Sequence, residues 1–345
     1  MRRSALVHQF SKLLTAARRY PPQTDPEAAS APGDSPILSS VVEPDRTETS
    51  SRSIGAEAHR DLPAIAAEGL VADYLELLKR SLTATVHQDA YISRISYDRL
   101  SLDPSSWHPR RRIAHLVSWA LRRRHWELAR RCPHEALEQG RVRPLIGETM
   151  VGVARLDNLQ GCIEQVVHGS VPGDLIETGV WRGGASIFMR GVLRALDVSD
   201  RRVWVADSFQ GLPRSDGRYA ADAGDKHHRF ADLAVPLEVV KENFRRYGLL
   251  DAQVRFVPGW FRDTLSGLHG ERWALIRLDG DMYESTMEAL ETLYPQLSVG
   301  GYVIIDDGSL APCRAAVDDF RARHGIEDPI ECIDWTGFFW RRATR

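Results

Sequence analysis

From about Gly173 onward, short runs rich in β-branched residues alternate with segments of helical periodicity. This alternation constrains the fold of the 345-residue chain more than any other feature. DLIETGV, RRVWVAD, QVRFVPG, RWALIRLD and GYVIIDD read as strands. GGASIFMRGVLRAL, VPLEVVKENFRRYGLL, STMEALETLYPQL and APCRAAVDDFRARHG read as helices, with Val235, Val239, Phe244 and Tyr247 of the second available for burial. Strands that are apolar along most of their length are covered on both faces, so the pattern predicts an α/β, doubly wound, mainly parallel sheet. The tail IECIDWTGFFWRR reads as two short strands about a Trp-Thr-Gly turn, which adds an antiparallel edge hairpin.

Upstream the chain changes character. Residues 1–65 are rich in Pro, Ser, Thr, Asp and Glu after a basic, weakly amphipathic start, and are expected to form a disordered tail, because they lack the apolar side chains that would offset chain entropy. Residues 66–150 read as a helical N-terminal extension, and 151–345 as the main α/β domain. Order is expected from about Gly69, where Leu70, Tyr74, Leu77 and Leu78 share helical spacing that suits either the core or an interface between copies. Over 108–131, Ile113, Leu116, Val117, Ala120 and Leu121 form a helical stripe bracketed by Arg110, Arg111, Arg112, Arg122, Arg123 and Arg124. This reads as a solvated, basic helical hairpin. With 45 basic against 47 acidic residues the net charge is −2, which gives no reason to propose nucleic acid as a partner. No apolar run is long enough to span a membrane. The 4 cysteines are too scattered for a disulfide framework or a CxxC metal site, which suits a reducing cytoplasm.

In a doubly wound sheet, ligands bind outside the carboxyl ends of the strands. Those ends are acidic here: Glu177-Thr178-Gly179, Asp207-Ser208, Asp279-Gly280-Asp281 and Asp306-Asp307. ETGVWRGGAS is a glycine-rich strand–helix turn but not GxGxxG, which weakens a dinucleotide reading. Asp207 stands where a carboxylate grips ribose hydroxyls in nucleoside-binding folds, and a carboxylate-lined cleft suits a sulfonium ligand better than a pyrophosphate. Asp279, Asp281, Asp306 and Asp307 end strands that would be neighbours, and would repel one another unless a cation or protons intervene. With no His or Cys among them, a hard ion such as Mg²⁺ is expected. A cation there would lower the pKa of an acceptor hydroxyl and fix its oxygen in line with a methyl donor.

The sheet pattern is that of Rossmann-like methyltransferases. The segments DLIETGVWRGGA, VWVADSFQGLP, DAGDKHHRF, ENFRRYGLL, VRFVPGWFRDTL, RLDGDMYESTMEAL and DWTGFFWR resemble the macrocin O-methyltransferase family. The resemblance runs from about Gly69 to Arg342. It implies an S-adenosylmethionine- and Mg²⁺-dependent enzyme acting on a sugar hydroxyl of a macrolide-like natural product, and a homo-oligomer. It further implies metal ligands at Asp279, Asp306 and Asp307, and a cofactor cleft around Glu177, Gly179, Ser186 and Asp207. Arg155 would lie in a segment closing over the methionine moiety, and Trp260 and Phe261 would wall the adenine. Asp281, His227 and His228 are the candidates for the general base. A catechol-type acceptor, an NAD-dependent sugar oxidoreductase and a non-catalytic binding protein are the competing readings. The glycine turn and the absence of a Tyr-x-x-x-Lys pair after the fourth strand oppose the oxidoreductase, and the clustered acids oppose the binding protein.

Overall fold

The computed structural model describes residues 64–93, 121, 123–124, 126, 129–230 and 232–343. Helix α1 is Ala64–Leu82. Strands β1 (Tyr91–Ser93) and β2 (Ala129–Arg131) form a small antiparallel pair, followed by α2 (His134–Glu138) and α3 (Val153–His168). The alternating part then runs β3 (Asp174–Thr178), α4 (Gly184–Ala195), β4 (Val203–Asp207), α5 (Leu237–Arg246) and β5 (Val254–Pro258). It continues with α6 (Phe261–Thr264), β6 (Trp273–Leu278), α7 (Tyr283–Leu293), β7 (Leu297–Ile305) and α8 (Ala311–His324), and ends in β8 (Glu331–Cys332) and β9 (Phe338–Arg341).

The sheet order is β5-β4-β3-β6-β7-β9-β8. The first five strands are mutually parallel, while β9 runs antiparallel to both β7 and β8. All five strands and the terminal hairpin read from the sequence are present. Side chains alternate between two cores, as the period of a strand requires. Leu175, Leu275 and Ile304 pack with Leu156, Ile187 and Phe188 on one face; Ile176, Ile276 and Val303 pack with Leu290, Val317 and Phe320 on the other. The chain leaves β3 toward β4 and later leaves β6 toward β7, so a crevice opens between the carboxyl ends of β3 and β6. No helix among the described residues is long and apolar enough to cross a membrane, and Cys132, Cys162, Cys313 and Cys332 are all unbridged.

Several local expectations are corrected. Helix α1 begins at Ala64, ahead of Gly69. Leu75, Leu78, Lys79 and Leu82 are buried among its described side chains, whereas Leu70, Tyr74 and Leu77 are exposed. Two neighbouring apolar stripes exist on this helix, and periodicity alone does not say which one meets α4. In α5, Val240 is buried and Val239 exposed, again one position from the expected stripe, while Val235 and Phe244 are buried as read. Ala129–Arg131 form a strand against Tyr91–Ser93, where the sequence suggested helix; the pairing continues with Cys132 N–H donating to the Ala90 carbonyl. The tail, apart from Ala64 and Ile65, and the stripe of Ile113, Leu116, Val117 and Ala120 lie outside the described residues.

The Val239–Val240 pair gives a direct test of the α5 register. Val240→Ala is expected to cost about 2 kcal/mol in urea unfolding, from two buried methyl groups and the void they leave. Val239→Ala should stay within about 0.5 kcal/mol of the parent.

Candidate active site

A cavity of about 340 Å³ opens at the carboxyl edge of the sheet. Its floor is the loop after β3. Gly179 has a φ of +81°, and a Cβ there would lie 1.8 Å from the Asp279 carbonyl oxygen, so the loops after β3 and β6 touch only because this position has no side chain. Glu177, at 1% exposure, receives the Ser186 hydroxyl on one oxygen and Arg277 on the other. Asp207 ends β4 and ties the crevice together: it accepts the backbone N–H groups of Val180 and Phe209, each at 2.7 Å. Burial pushes both carboxyls upward, against those hydrogen bonds at Asp207 and against the Arg277 charge at Glu177.

The ends of β6 and β7 supply the second half. Oxygens of Asp279, Asp306 and Asp307 all lie within 4.8 Å of one another. Asp281 stands beside them with a φ of +57°, a left-handed conformation that aspartate tolerates better than most residues, and its N–H donates to Asp307 Oδ2 at 3.0 Å. Two buried guanidinium groups reach this cluster. Arg277, next to last in β6, bonds Asp279 Oδ2 at 3.0 Å as well as Asp306 and Glu177. Arg155, from α3, bridges Asp306 Oδ2 at 2.5 Å and Asp334 Oδ2 at 3.0 Å. The positive charge does not suffice. Burial first, and then their acidic neighbours, raise Asp279 and Asp307 well above the ordinary carboxylate range, and burial raises Asp281. Unrelieved repulsion among oxygen donors is what a hard divalent cation removes, so the residues present fit such an ion.

On the opposite wall, the loop after β4 brings in His227. Its Nδ1 lies 2.5 Å from Asp225 Oδ2, and that bond raises the imidazole pKa, with the Asp281 charge acting in the same direction. The loop is anchored by Asp222, whose carboxylate accepts the N–H groups of Tyr283 (2.8 Å) and Glu284 (2.9 Å) and so caps α7.

Of the residues named from the sequence, Arg155, Glu177, Gly179, Asp207, Ser208, His227, Trp260, Phe261, Asp279, Asp281, Asp306 and Asp307 line the cavity. Ser186 and Thr178 are buried behind it, and His228 does not line it. Sequence reasoning missed Arg277, Asp222, Arg143, Glu284 and Trp335. Arg277 alone left a signal: one charge inside the otherwise apolar WALIRL.

A family profile described as macrocin-O-methyltransferase (TylF) matches residues 71–342. The 8-demethyl-8-(2,3-dimethoxy-alpha-L-rhamnosyl)-tetracenomycin-C 4'-O-methyltransferase of Streptomyces olivaceus is 52% identical over 272 residues, 78% of this chain and 92% of that protein. The mycinamicin III 3''-O-methyltransferase of Micromonospora griseorubida is 45% identical over 274 residues, 78% of this chain and 96% of that one. The solved structure of the O-methyltransferase NovP superimposes with a TM-score of 0.66 at 44% identity, covering 79% of this chain and 100% of that chain.

The raised acids give a pH test. In the folded chain Asp279 and Asp307 keep protons that the unfolded chain has already released, so their contribution to stability falls as pH rises from about 4 through the folded-state values. In EDTA the protein is expected to melt lower at about pH 8 than at about pH 6. Asp307→Asn keeps an acceptor for the Asp281 N–H while removing a charge; calorimetry should show a smaller fall and a higher melting temperature at the upper pH.

Proposed function

The chain belongs to the macrocin O-methyltransferase family, and on that premise we propose that it methylates a hydroxyl on the sugar of a glycosylated small molecule, using S-adenosylmethionine and Mg²⁺. The observation that carries this reading is the convergence of Asp279, Asp306 and Asp307 within 4.8 Å, in the same cavity as Glu177 and Asp207. The Streptomyces olivaceus relative is named for a rhamnosyl-bearing acceptor, which supports a sugar acceptor here.

S-adenosylmethionine supplies a methyl group on a sulfonium, and the cation, when bound, supplies polarisation of the acceptor hydroxyl. Asp207 would take the ribose hydroxyls, and Glu177 would give the cleft the negative charge that suits a sulfonium. Asp279, Asp306 and Asp307 would hold the cation, with Arg277 and Arg155 fixing the Asp306 carboxylate from both sides. Asp281 is the base we favour. It lines the cavity beside the three ligands, burial makes its carboxylate more basic than usual, and the Asp225–His227 pair faces it. Asp281 would take the acceptor O–H proton and so free the oxygen for the methyl group that bound S-adenosylmethionine would supply. His227, held by Asp225, would stabilise the charge at Asp281.

We further propose that 151–345 is the catalytic domain and 66–150 its N-terminal extension, that the exposed Leu70, Tyr74 and Leu77 of α1 contribute to a homo-oligomer contact, and that the protein works in the cytoplasm, where its free thiols persist.

Turnover of a rhamnosylated acceptor with labelled S-adenosylmethionine, read by mass spectrometry, tests the assignment; it should vanish in EDTA and return with Mg²⁺. Asp281→Asn is expected to lower kcat by about 10²–10⁴-fold with S-adenosylhomocysteine affinity changed less than about tenfold. Asp279→Asn should remove turnover and Mg²⁺ binding by calorimetry, and full turnover of that variant in EDTA would refute the metal reading. An Asp281→Asn enzyme with parental kcat would move the base to His227.

A further inference from the structure

On the far side of the acids from Asp207, the turn before β9 brings Trp335 into the cavity. Among the described residues, it is the one exposed large apolar side chain that lines the cavity, at 45% exposure. Its indole N–H donates to the Gln139 carbonyl at 2.8 Å, so the part left open is the apolar ring, its polar group already satisfied. Two guanidinium groups prop the ring, Arg141 at 5.0 Å and Arg155 at 5.9 Å from its centre. The residues on either side tie it to the acids. Asp334 holds Arg155, which bonds Asp306, and the Thr336 hydroxyl donates to the Asp306 carbonyl at 3.0 Å. A Cβ on Gly308 would lie 2.5 Å from the Thr336 carbonyl oxygen, so the loop after β7 packs directly on this turn. The ring is thereby fixed relative to the carboxylates while it stays open to a ligand.

The strand order says what comes to meet it. With ribose at Asp207 on β4, the cofactor takes the β3–β4 side of the cavity, and the acids stand at the ends of β6 and β7. An acceptor with its hydroxyl at the acids has room for the rest of its sugar on the other side, toward β7 and β9. A pyranose presents C–H bonds that its oxygens make slightly positive, whereas the face of an indole is negative. The two surfaces attract one another, and both leave water when they meet. Resting on the reading of a sugar acceptor, we propose that Trp335 receives the C–H face of the acceptor sugar, and so sets the affinity for the acceptor without touching the cofactor.

Kinetics with a rhamnosylated acceptor and calorimetry with S-adenosylhomocysteine test the assignment together. Trp335→Ala is expected to raise the acceptor KM about tenfold. Its kcat should stay within about threefold of the parent, since the lost contact is made equally before and during the reaction. S-adenosylhomocysteine affinity should change less than about twofold. Trp335→Phe keeps an aromatic face but loses the N–H donated to Gln139, so its KM should stay within about threefold of the parent. A ring that only braced the turn would make the two substitutions act alike, through a lower melting temperature and weaker Mg²⁺ binding. Saturation-transfer NMR needs no variant. In the parent loaded with S-adenosylhomocysteine and Mg²⁺, irradiation of aromatic protons should reach the ring C–H protons of methyl α-L-rhamnoside. Absence of that transfer overturns the proposal, as does a Trp335→Ala protein that melts like the parent and keeps its KM, or an equal loss in the Ala and Phe variants. Failure of the parent to methylate any rhamnosylated acceptor overturns the sugar reading and the platform with it.

Discussion

Arg277 is next to last in β6, a strand buried along its whole length, and its guanidinium is shared among Glu177 of β3, Asp279 just after β6 and Asp306 just after β7. Three adjacent strands therefore end in acids that one buried cation draws together. Placing a charge in a sheet interior is expensive unless every donor is met, and here the neighbouring strand ends meet it. Arg155 repeats the arrangement from outside the sheet, joining α3 to Asp306 and to the terminal hairpin. Together they hold the acids close without neutralising the cluster, and Asp279, Asp281 and Asp307, which line the open cavity, hold their protons more tightly than ordinary carboxyls.

The large features of this fold are written in strand composition. A parallel strand buried on both faces must be apolar throughout, so its acidic last residue stands out; that is why Glu177, Asp207, Asp279 and Asp306 were legible before any coordinates. What was not legible depends on contacts between distant segments. The apolar side of α1 is decided by its packing on α4, and Val239 and Val240 differ only in which of them meets the sheet-side core. Arg155 lines the cavity, and only the folded chain shows its guanidinium engaged by Asp306 and Asp334. Asp222 lies in a polar loop with no periodicity, and only the folded chain shows it capping α7 from 61 residues away.

Two devices in the site share one logic: a side chain from a loop satisfies backbone or charge at the carboxyl edge of the sheet. Asp222 fastens the His227 loop to the start of α7, and so sets the distance between His227 and the acids after β6. The Asp334–Gly337 turn does the same on the other flank. Asp334 accepts the Thr336 and Gly337 N–H groups while holding Arg155, and the Thr336 hydroxyl donates to the Asp306 carbonyl at 3.0 Å. Such loops can vary in length around a fixed chemical centre.

The second of these has a bearing on biosynthesis. Because β9 pairs with β7 and the turn before it pins both Arg155 and Asp306, a nascent polypeptide that has emerged only as far as residue 333 carries every acid of the centre but none of this bracing. A chain stopped there holds the acids of the centre without the turn that fixes them.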